Sequence, residues 1–107
     1  MEDQIYTYHA EMCKVFSHPK RLELINLLRE KEMSAGKLGE ELGLAPANLS
    51  QHLTMMRGRH ILTSRKEGNV VYYRIANPRL LEAFDLLREI LFEQIRQDAA
   101  LIQDKVS

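Results

Sequence analysis

The sequence is poor in the residues that staple small proteins. It holds one cysteine, Cys13, so it can form no internal disulfide and no paired-cysteine zinc cluster. It has no tryptophan, and its five glycines form no phosphate cradle, because Gly36-x-x-Gly39 sits inside a short helical stretch. The longest apolar runs, Val70 to Tyr73 and Ala99 to Ile102, are four residues, against roughly 18 for a bilayer span. The acidic start, Met-Glu-Asp-Gln, is unlike a secretory signal, and the expectation is a cytoplasmic protein without a membrane segment. No nucleophile with a base, open metal site or phosphate loop is visible, so no enzyme class is indicated and no cofactor is expected. With no linker, repeat or low-complexity tract, the 107 residues read as a single domain, 1–107.

Net charge is also lacking, since 15 basic side chains meet 15 acidic ones. Their distribution is uneven. Residues 1–45 carry six basic and eight acidic groups, residues 46–79 six and one, and residues 80–107 three and six. Positive charge is therefore concentrated in the middle third, where a polyanion can bind locally.

Apolar spacing predicts a helix from Ile5 to about Phe16, with Cys13 in its stripe, and a second helix from His18-Pro19 to near Glu30–Glu32. Ser34 caps a third carrying Leu38 and Leu42, and Gly43 stops it by taking the positive φ of a sharp reversal. Pro46 opens a fourth helix, in which Leu49, Leu53 and Met56 repeat at helical spacing up to Gly58. Helix, glycine turn and helix over this distance is helix-turn-helix spacing. Residues 62–67 and 70–75 flank Gly68-Asn69, a type II′ hairpin signal, in a register that pairs Arg65 with Tyr72. Asn77-Pro78 starts a last helix whose apolar stripe, including Phe84, Leu87, Leu91 and Ile95, is too wide for one small chain and is expected to pack on a second subunit. The fold class is mostly α with a small hairpin: a winged helix-turn-helix of five helices and a two-stranded wing.

The strings Ser17-His18-Pro19-Lys20-Arg21-Leu22, Leu49-Ser50-Gln51-His52-Leu53 and Val71-Tyr72-Tyr73-Arg74-Ile75 resemble the ArsR family of winged helix-turn-helix repressors, over about residues 12–92. The resemblance implies a homodimer, joined through the first and last helices, that binds an inverted-repeat operator in double-stranded DNA and releases it on binding an inducer. Two inducer sites of that family have no counterpart here. Ser34 and Gly36 stand where one carries a Cys-x-Cys pair, and no histidine follows His60 to complete the other. No metal site is expected, and the inducer stays open: metal at new ligands, oxidation of Cys13, a small organic molecule, or none.

With Leu49, Leu53 and Met56 facing inward, a helical wheel points Ala47, Gln51 and Thr54 outward, flanked by Asn48 and Ser50. These are the DNA-facing candidates. Asn48 and Gln51 offer bidentate contacts to adenine, and Ser50 a phosphate contact. His52 lies about 60° from the apolar stripe, so the wheel favours packing where the resemblance favours contact. Arg57, Arg59, Arg65, Lys66 and Arg74, with Asn69 at the hairpin tip, are candidates for phosphate or minor groove, opposed in the segment only by Glu67. Tyr72 is read either as exposed support for Arg65 or as a cross-strand packing partner, and Tyr73 as packed inward. His9 and Cys13 share one side of the first helix, but two ligands are too few for a metal, and they stand as redox or inducer-linked candidates. The reading is a sequence-specific dimeric repressor. The alternative is a winged-helix protein-interaction module with weak or no DNA binding.

Overall fold

A computed structural model describes residues 2–106, with side-chain surroundings described for residues 2–100. The elements run α1 (Glu2–Cys13), a 3-10 turn (Lys14–Ser17), α2 (Pro19–Leu27), β1 (Met33–Ser34), α3 (Ala35–Leu42), α4 (Pro46–Gly58), β2 (Leu62–Glu67), β3 (Val70–Ile75) and α5 (Arg79–Val106). They fall into two compact units, Met1–Asn77 and Pro78–Ser107.

The first unit is built around Leu24, Ile25, Leu38, Leu53, Met56, Ile61 and Leu62, each at most 2% exposed. Full burial of such side chains stabilises by about 1.5–3 kcal/mol each, so α4 is fastened mainly by Leu49, Leu53 and Met56. Local chemistry sets the element ends. The His18 ring accepts a hydrogen bond from the Lys20 amide at 3.1 Å, capping α2 ahead of Pro19. Ser34 Oγ accepts from the Lys37 amide at 3.1 Å and caps α3. Gly43, at φ 63°, reverses the chain into α4.

The hairpin has the anticipated register, Leu62 opposite Ile75 through Glu67 opposite Val70. Gly68 sits at φ 60° while Asn69 keeps a negative φ, as a type II′ turn requires. A third strand joins it: Met33 and Ser34 pair with Tyr73 and Tyr72, giving the sheet order β1-β3-β2. Sequence periodicity misses it because two residues have no period.

Three further expectations change. The α-helical part of α1 stops at Cys13, and a 3-10 turn carries the buried Val15. Helix α2 ends at Leu27, because the chain turns there to feed β1. Helix α4 ends at Gly58, as its spacing indicates, and the left-handed residue beyond it is His60, at φ 64°. Cys13 was expected in an apolar stripe, but α1 buries none of its residues and Cys13 is exposed.

The second unit is α5, in which Phe84 is buried, whereas Leu86, Leu87, Ile90, Leu91, Phe92 and Ile95 are each more than half exposed. Among the described residues no helix is long and apolar enough to cross a membrane.

Candidate nucleic-acid interface

Helix α4 has two chemically distinct sides. Leu49, Leu53 and Met56 are buried, while Ala47, Asn48, Ser50, Gln51 and Thr54 are all exposed. The structure thus brings the five predicted face residues together on one solvent-facing side. It is polar but uncharged, offering amide and hydroxyl groups of the kind that hydrogen-bond base edges and phosphates.

His52 lies between the two sides. It is half-buried, its ring packs edge-on against His18 with centroids 4.5 Å apart, and Arg21 Nη1 lies 3.4 Å from its Nδ1. Burial, then His18 and Arg21, lower the imidazole pKa below its ordinary value of 6.5. Arg21 also donates to the carbonyls of Val15 at 3.0 Å and Lys14 at 2.8 Å. It therefore links the 3-10 turn to α4. Sequence reasoning gave Arg21 no role, although it stands in the first of the quoted strings.

The cations divide into two groups. Arg57, in the last turn of α4, is exposed and donates to Ser64 Oγ at 3.2 Å; Lys66, Asn69 and Arg74 are exposed along the hairpin. Arg59 and Arg65 are engaged within the protein. Arg59 Nη2 donates to Glu11 at 2.6 Å, tying α4's end to α1. Glu11 has its pKa lowered chiefly by the hydrogen bond from Lys14, with Arg59 adding to it.

Arg65 donates from Nε to both Glu32 oxygens, at 3.0 and 2.9 Å, and from Nη2 to Glu32; its Nη1 donates to Glu67 at 2.8 Å. The guanidinium carbon lies 4.5 Å from the centre of the Tyr72 ring. Tyr72 is half-buried and supports Arg65. The Arg65 hydrogen bonds hold the Glu32 carboxyl below its usual pKa, with Arg74 contributing, and raise that of Arg65 in return. Glu32 was missed because its partner is far away in sequence.

His9 and Cys13 are exposed on α1, and among the described residues no cluster of three or more His, Cys, Asp or Glu is placed to hold a metal ion.

A short helix, a glycine reversal, a second helix with an uncharged polar face and a hairpin beside it define the winged helix-turn-helix class of transcriptional regulators. Residues 18–64 match the model of bacterial regulatory proteins of the arsR family. The HTH-type transcriptional regulator Rv0081 of Mycobacterium tuberculosis is 32% identical over 103 residues, covering 95% of this chain and 90% of that protein. Its crystal structure superposes with a TM-score of 0.75, at 33% identity over 96% of this chain and 97% of the other. PagR of Bacillus anthracis, named a transcriptional repressor, is 35% identical over 82 residues, or 76% of this chain and 82% of its own. HlyU of Vibrio cholerae, named a transcriptional activator, has a solved structure with a TM-score of 0.73, at 28% identity over 84% of this chain and 97% of the other. The chain belongs to the arsR family and is a winged-helix transcriptional regulator.

Proposed function

We propose that the chain is a cytoplasmic, homodimeric repressor that places α4 of each subunit in the major groove of an inverted-repeat operator and blocks transcription there. The observation that carries this reading is the uncharged polar face of α4, held by three buried apolar anchors, with exposed cations at Arg57 in the last turn of the helix and at Lys66 and Arg74 on the hairpin strands that follow it. Asn48, Gln51 and Thr54 read base edges, and Ser50, beside Ala47, positions the helix on the backbone. Arg57, Lys66, Arg74 and Asn69 at the wing tip meet phosphates.

Dimerisation uses the apolar side chains that α1 and α5 leave in solvent, among them Ile5 and Tyr8 on the first and Leu87, Ile90 and Leu91 on the second. Release by an inducer belongs to the same reading, with His9 and Cys13 as the linked candidates on α1.

Selection of duplexes from a random-sequence pool by the purified protein tests the reading. The expected product is an inverted repeat with half-site centres roughly 10 base pairs apart, or a multiple of that. A pool that shows no enrichment contradicts it and favours the protein-interaction module.

A further inference from the structure

The wing carries an arginine each of whose guanidinium nitrogens already donates to a carboxylate. Arg65 on β2 stands opposite Tyr72 on β3, which stands opposite Ser34 on β1. Side chains alternate along strands, so Glu67, two residues beyond Arg65, shares its face of the sheet. Glu32, two residues before Ser34, is placed to share that face too. The guanidinium lies across Tyr72, and each of its three nitrogens donates to a carboxylate, two to Glu32 and one to Glu67. The contact spans the sheet, joining edge strand β2 to the turn that precedes β1. A lone exposed ion pair does little for stability. A planar fork gripped by two carboxylates and stacked on an aromatic ring has its geometry fixed from three sides.

We infer that Arg65 is a positioning residue of the wing and not a phosphate ligand: Glu32 and Glu67 hold it against Tyr72 and so set where the hairpin tip, with Lys66 and Asn69, meets DNA. The inference rests on the DNA-binding reading. Its physical content is that a guanidinium already neutralised by carboxylates displaces no counterion when the duplex arrives, whereas a free one does.

The test uses the full chain and a duplex that the wild-type protein selects from a random pool. Arg65→Ala, Arg65→Lys, Glu32→Gln and the Arg65→Ala/Glu32→Gln double variant are titrated over a range of salt. Each single variant is expected to lose affinity by roughly three- to tenfold, the scale of a surface charge network. The double variant should lose no more than either single, with the slope of log affinity against log salt unchanged. Arg65→Lys should fall with Arg65→Ala, since an ammonium cannot span Glu32, Glu67 and the ring together. Amide exchange in residues 65–72 should quicken equally in all four variants, a readout that needs no DNA.

Two results would overturn the inference. One is a slope that drops by about 0.9 in Arg65→Ala but is kept in Arg65→Lys, with Glu32→Gln binding more tightly, which makes Arg65 a phosphate ligand and Glu32 its competitor. The other is wing exchange that no variant alters. A wild-type protein that selects no duplex would instead sink the DNA-binding reading, leaving amide exchange to judge the clamp.

Discussion

Gln51 and Arg57 lie less than two turns apart on α4, and both are exposed, yet the proposed reading gives them different work. An amide that bridges an adenine edge distinguishes sequences, whereas a guanidinium beside phosphates attracts every duplex alike. Gln51→Ala is therefore expected to reduce discrimination between selected and scrambled duplexes by about 1–3 kcal/mol while sparing non-specific binding. Arg57→Ala should weaken both duplexes similarly and lower the salt slope by about 0.9. Anisotropy titrations at several salt concentrations separate the two outcomes. His52 makes a third prediction. Its folded-state pKa lies below the ordinary 6.5, mainly because the ring is buried, with His18 and Arg21 adding to the effect. The unfolded chain takes up this proton first, so its contribution is intact above pH 6.5 and declines as pH falls through that value toward the folded pKa. Urea unfolding at about pH 7.5 and about pH 5.5 should show that loss in the wild type, and a smaller one in His52→Gln.

At the scale of elements, the helix-turn-helix is held by a few residues of known cost. Leu53 is 2% exposed, and Leu53→Ala should destabilise by about 2–5 kcal/mol in denaturant unfolding. Gly43→Ala should cost about 1–2 kcal/mol, although a Cβ there meets nothing within 4 Å, because φ 63° penalises any side chain. These elements were legible in the sequence because their signals are local. A four- and three-residue apolar spacing gave α4, alternation and Gly68-Asn69 gave the hairpin register, and one glycine gave the reversal. The exposed face of α4 followed from the same periodicity. What stayed hidden depends on distant partners. Strand β1 exists because β3 offers it an edge, and Glu32 reaches Arg65 only once β1 is placed. Likewise the wheel put His52 on the flank of α4, but nothing local to it announced the ring of His18 or the fork of Arg21.

For the whole molecule, the proposed binding of a polyanion by a neutral chain relies on cations concentrated in residues 46–79, while α5 is acidic and apolar. Two copies are needed if the exposed stripe of α5 is to be covered. Ile90→Glu is accordingly expected to yield a monomer in sedimentation analysis and to weaken binding to the two-half-site duplex far more than to a single half-site. The central claim is that the uncharged face of α4 enters the groove, and mapping amide chemical shifts as the selected duplex is added tests it most directly. The account predicts that the largest changes fall on Ala47, Asn48, Ser50, Gln51 and Thr54, with smaller ones at Lys66 and Asn69. Changes confined to α5 or to the outer surface of α1, with the α4 face silent, would contradict it.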